Sequence, residues 1–132
     1  MVIANQYDVN VTVIPNTLPE VIHVSYDLWK LEITLIFPDQ PIPVYVSFSS
    51  IGFRILDEGD LLDYWDDESR VPGWIWKINS GGWFDQESER GGFLQEQLAK
   101  VGYERPHEYL ILGINDCVSV FSRGEPKISM AE

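Results

Sequence analysis

Cys117, His107 and Asp116 are the residues that could assemble a thiol nucleophile. A thiolate needs a base within hydrogen-bond reach and a third group to orient that base. Cys117 is the one cysteine of the chain and sits inside "CVSVF", a setting in which a thiol behaves as a small buried hydrophobe. A two-residue turn at Asn115–Asp116 pairs Ile114 with Cys117 and Tyr109 with Ser122. His107 then falls opposite Gly124, about 23 Å along the strand from Ile114 at ~3.3 Å per residue. The spacing argues against a dyad, no catalytic residue is assigned, and the chain reads as a non-enzyme.

Metal and cofactor chemistry fare no better. His23 and His107 are the only imidazoles, and neither sits on a helix at the i, i+3 or i, i+4 spacing of a zinc pair. "DEGDLLDYWDDE" lacks the D-x-D-x-D-G loop that wraps a hard cation. Gly81–Gly82 and Gly91–Gly92 match neither phosphate-binding glycine pattern, and the acidic "WFDQESE" would repel phosphate. Those glycines read as turns with positive φ. We therefore expect no metal and no cofactor. A carbohydrate site would need two carboxylates about 5–10 Å apart and exposed indoles. Trp74 and Trp76 share a strand face with Ile78 and read as core; Trp83, beside two glycines, is the indole expected to be partly exposed.

What remains is charge. Residues 57–68 hold Asp57, Glu58, Asp60, Asp63, Asp66, Asp67 and Glu68, with no basic residue among them. The pattern predicts a short helix, with Asp57 as cap, Asp60 in the first turn, and Leu61, Leu62 and Trp65 as an apolar stripe. The first acids favour the positive end of the helix dipole. Asp66, Asp67 and Glu68 sit at the wrong end, at roughly 0.3–1 kcal/mol each. Asp63 repels Asp60 and Asp66 at i, i+3 by roughly 0.2–0.5 kcal/mol per pair. A segment selected for stability alone would place Lys or Arg there. Asp60, Asp63, Asp66, Asp67 and Glu68, with Tyr64 on their edge, are the candidate partner-binding residues. Trp83, Asp85 and Glu87 extend the patch. A solvated face that only keeps the protein soluble is the plainer explanation of the same charges.

The elements around these residues read mainly as strands. Tyr7, Val9, Val11 and Val13 alternate with polar residues, and "EVIHVSY" follows the turn "PNTLP". Trp29, Leu31, Ile33, Leu35 and Phe37 make the cleanest alternation in the chain. Across residues 44–55 the apolar phase slips by one between Phe48 and Ile51, which predicts a bulge or bend at Ser49–Ser50 eased by Gly52. "WIWKI" is a strand. Residues 83–101 look helical around Gly91–Gly92, most clearly from Phe93 to Val101. "EYLILGINDCVSVF" is a hairpin apolar on both faces, hence central and covered on each side. The expected fold is α+β: a bent, mainly antiparallel sheet of about seven strands with two short helices.

The 132 residues amount to one domain, 1–132, with 45% hydrophobic residues. The net charge of −12 disfavours nucleic acid and anionic membranes and favours a basic protein partner. A lone cysteine gives no intrachain disulfide. "MVIANQYDVNV" has no charged n-region or long apolar h-region, so a complete, cytoplasmic bacterial protein is the expectation. In type, not in motif, the chain resembles small acidic immunity or antitoxin proteins. That resemblance implies a non-enzymatic inhibitor that engages a basic protein surface. The alternative is a small-ligand or carbohydrate-binding domain whose pocket is lined by Trp74, Trp83 and Tyr103. Spare apolar sheet surface leaves a homodimer open.

Overall fold

Alternation of apolar side chains dominates the sequence, and the computed structural model is built accordingly of antiparallel strands. The structure describes residues 3–6, 18–28, 30–38, 40–57, 74–85, 106–114 and 116–130. Among them run nine strands: β1 (Ile3–Gln6), β2 (Glu20–Tyr26), β3 (Leu31–Ile36), β4 (Val44–Phe48), β5 (Ser50–Asp57), β6 (Ile75–Ser80), β7 (His107–Leu112), β8 (Asp116–Ser122) and β9 (Lys127–Met130). They form two sheets, in the orders β1-β6-β7-β8-β5 and β2-β3-β4-β9.

The two sheets face each other across one core. Leu31, Ile33, Leu35, Val44, Val46 and Phe48 of the four-stranded sheet meet Ile75, Tyr109, Ile111, Val118 and Val120 of the five-stranded sheet. Successive side chains of a strand point to opposite faces, so Trp76, Ile78, Leu110, Leu112 and Cys117 form a second cluster on the outer face of the larger sheet. The hairpin of β7 and β8 is thus buried on both faces and central, as its apolar composition implied.

The phase slip at Ser49–Ser50 is the point where the chain changes sheets. β4 belongs to one sheet and β5 to the other, and the β5–β8 register shifts between Ser50 and Gly52. The antiparallel partner crosses beside it, from β8 into β9. Arg123 N–H donates to the Ser49 carbonyl at 3.0 Å. The Ser122 hydroxyl donates to the Gly124 carbonyl at 2.7 Å. Strands that switch sheets through bulges in this way make the corners of orthogonally packed β structures.

Several expectations change. One bent sheet of about seven strands is replaced by two sheets, because residues 123–126 carry the chain over the corner and Lys127–Met130 pairs with β4. The described residues are mainly β; the helix expected at 57–68 lies outside them beyond Asp57, as do the helix at 93–101 and the strand at 7–13. β5 continues through Asp57, which stands opposite Asp116. The central hairpin turns one residue earlier than expected: Gly113 N–H donates to the Asp116 carbonyl at 3.0 Å, and Leu112 pairs with Cys117. Trp74 does not share a face with Trp76. It precedes the first residue of β6 and packs edge-on against Phe37, with centroids 5.4 Å apart at 78°, in the core between the sheets.

Candidate functional site

On the outer face of the five-stranded sheet, β5 carries Arg54 opposite Ser119, and β8 carries Phe121 opposite Glu108 of β7. The chain leaves β6 at Ser80 and reverses through Gly81, whose φ of 76° lies in the left-handed region that favours glycine. It becomes helical at residues 83–85. This turn lays Trp83 flat on Phe121, with centroids 4.0 Å apart and planes at 15°. Phe84 meets the same phenyl ring edge-on at 5.8 Å and 80°. The Arg54 guanidinium carbon lies 4.7 Å from the Trp83 ring centroid, a cation–π contact.

Glu108 sets the position of that turn. Its side chain is 3% exposed. Oε2 accepts from Trp83 N–H at 2.8 Å and Oε1 from Phe84 N–H at 3.0 Å. The first N–H groups of a helical turn have no acceptor within it, and a carboxylate there complements their dipoles. Gly82 makes the approach feasible, because a Cβ at that position would lie 2.5 Å from Glu108 Oε2 and 2.6 Å from Ile78 Cγ2. Gly82→Ala is expected to destabilise the protein by about 1–3 kcal/mol, read as a lower urea midpoint with an unchanged slope. Gly124→Ala is the control, since a Cβ there meets nothing within 4 Å. Equal midpoints for the two variants would refute the close fit.

Of the residues expected to contact a partner, the structure brings two to this face. Trp83 is half-buried, the more exposed indole beside Trp74 and Trp76, as expected, and its ring already rests on Phe121 and Arg54. Asp85 lies in the same turn, where its Oδ2 accepts from Gly81 N–H at 2.6 Å. Asp60, Asp63, Tyr64, Asp66, Asp67, Glu68 and Glu87 lie outside the described residues. Arg54, Phe121 and Glu108 belong to this face without standing out in the sequence pattern. The available signals were a lone cation within "IGFRIL" and a lone acid opening "EYLIL".

Register also separates the residues of the other chemistries. His107 pairs with Ser122, and Cys117 pairs with Leu112. That places the imidazole about 17 Å along the ladder from the thiol at ~3.3 Å per residue. Alternation puts it on the opposite sheet face as well, because Tyr109 points to the inter-sheet core and Leu112 to the outer cluster. Trp74 and Trp83 do not line one pocket: Trp74 fills the core between the sheets, whereas Trp83 covers Phe121 from outside. Among the described residues, no group of three or more His, Cys, Asp and Glu is arranged to hold a metal ion. No described helix is long and apolar enough to cross a membrane. Comparisons with protein-family models, with curated proteins and with solved structures found no match to the chain.

Proposed function

We propose that this chain is a non-enzymatic, single-domain acidic binding protein of the immunity or antitoxin type, which engages a basic surface of a partner protein. The observation that carries the reading is the density of charge in residues 57–68, seven acids without one base. Asp63, Asp66, Asp67 and Glu68 have no stabilising role in the helix that this segment's pattern predicts. In this reading a short helix that follows Asp57, its cap, and another over 93–101 are added to the β framework, making the fold α+β. The position of the segment supports the proposal. β5 delivers the chain to it at Asp57, directly opposite Asp116, so the acidic run begins at an end of the sheet that already carries negative charge.

A neutral-tagged protein is expected to retain a basic partner at low salt and release it at high salt, because such association is driven by complementary potentials. Combined Asp60→Lys, Asp63→Lys and Asp67→Lys substitutions are expected to slow association by at least roughly tenfold at low ionic strength. Binding indifferent both to salt and to these reversals would refute the proposal.

A further inference from the structure

Among the described residues each sheet ends in two edge strands, β1 and β5 in one and β2 and β9 in the other. β1 and β9 are four residues long, and β2 is interrupted by a register shift between Val21 and His23. Short strands and bulges blunt an edge against pairing with another chain. β5 has neither protection: it runs for eight residues and keeps regular register on β8 from Gly52 to Asp57. Only alternate residues of an antiparallel strand bond to a given neighbour. The other N–H and C=O groups of β5 point away from β8, where no described strand pairs with them. Arg54 is turned to the outer face, against Trp83, and does not guard this edge. Ile55 shares its face with its cross-strand partner Val118, a core residue, yet remains 50% exposed. Phe53, two residues earlier on that face, is instead met by Tyr26, with ring centroids 5.2 Å apart.

The distribution of charge along β5 selects the occupant. At −12, two copies of the chain repel over most of their surface. Residues 44–56 and 117–124 are the exception: they contain no acid and hold Arg54 and Arg123. Arg123 is fixed at the corner where β5 begins, because its N–H donates to the Ser49 carbonyl. Glu125 and Lys127, just beyond, cancel each other in charge. At its other end β5 reaches Asp57, in register with Asp116, and Glu58 and Asp60 follow within three residues. The strand therefore has a basic start and an acidic end. A two-fold interface requires a surface that complements itself. Two antiparallel copies of β5 meet that requirement, since each start lies beside the other's end.

We infer that two copies of the chain pair along β5, antiparallel about a two-fold axis at Ile55, and so join their five-stranded sheets into one continuous sheet. In this register Ile55 lies opposite itself and Arg54 opposite Leu56 of the second copy. The two Ile55 side chains cover each other, and the acids that follow Asp57 in one copy approach the corner that holds Arg123 in the other. Main-chain hydrogen bonds supply affinity in such strand addition, and the side chains that meet supply selectivity. The inference goes beyond the proposed basic partner and does not depend on it.

Sedimentation equilibrium of the full chain, from micromolar to submillimolar concentration, is expected to show monomers in equilibrium with dimers. Over the same range alternate amides of Gly52–Asp57 are expected to gain protection from hydrogen exchange, while those of β1, at the far edge of the sheet, do not. Ile55→Lys and Ile55→Asp each set a charge directly opposite its own copy, and each is expected to weaken the dimer at least about tenfold. An equimolar mixture of the two variants is expected to recover it as a heterodimer, because a residue that faces itself then meets the opposite charge. A chain that stays monomeric, a dimer that survives both single variants, or a mixture that stays monomeric overturns the inference. Unchanged protection of Gly52–Asp57 in the parent overturns it without recourse to any variant. If those amides are protected only when a basic partner protein is bound, the edge belongs to that partner and the second copy is ruled out.

Discussion

Trp74→Ala is expected to destabilise the protein by about 3–5 kcal/mol, the cost of removing a large aromatic side chain from a packed core. Trp74 is 2% exposed. It lies in the cluster that joins the two sheets and meets Phe37 edge-on at 5.4 Å. Its backbone cannot follow the lost volume, because the Trp74 carbonyl accepts from Leu112 N–H at 2.8 Å and so is held to the central hairpin. Trp74→Phe, which keeps a ring against Phe37, is expected to recover much of the loss. Urea denaturation of the two variants checks this. A Trp74→Ala midpoint close to the parent's would mean that Trp74 is not part of the inter-sheet core.

Glu108→Ala carries the next largest effect, about 2–4 kcal/mol. Hydrogen bonds to a charged group contribute roughly 1.5–3 kcal/mol, and buried donors left without an acceptor incur their full desolvation cost. Both carboxylate oxygens are engaged, on Trp83 and Phe84 N–H. Glu108→Gln keeps one acceptor oxygen at the same reach and is expected to lose about half as much. The loss of stability has an optical counterpart. Release of the turn lifts Trp83 from Phe121, so indole emission of the folded Ala variant is expected at longer wavelength than in the parent. A Glu108→Ala variant with unchanged midpoint and emission would show that Glu108 does not hold the turn.

The strands were legible where a single rule governs side-chain direction. Leu31, Ile33 and Leu35 alternate with Glu32 and Thr34, and they lie in the core as alternation requires. The slip between Phe48 and Ile51 marked the corner, but not that the chain passes there into a second sheet. Which sheet a strand joins depends on partners distant in sequence, and no local pattern encodes them. Lys127–Met130 is hard to read for a related reason: its four residues alternate polar with apolar, but two periods are too few to set a strand apart from a short loop, and its partner β4 is distant in sequence. Trp74 lies on the face opposite to the one alternation gives it, because it precedes the first residue of β6 and the period of two does not reach it. For the candidate site, the position of Trp83 between two glycines and a polar run signalled partial exposure. Arg54 and Phe121 come to it from strands far away in sequence, so their convergence follows from the sheet order alone. The acidic run was conspicuous as composition, and its joining point at Asp57, opposite Asp116, emerges only from the register.

The corner at Ser49 and Ser122–Gly124 has a consequence for how the protein opens. Residues 44–57 and 116–130 are two continuous paths, each contributing a strand to both sheets and paired with the other on either side of the corner. Neither sheet can separate from the other without breaking its own ladder. Local openings detected by hydrogen exchange are free to vary at an edge strand such as β1, but the amides of β4 and β8 belong to one cooperative unit. Although they lie in different sheets, their slowest amides are expected to exchange with a common free energy equal to that of global unfolding.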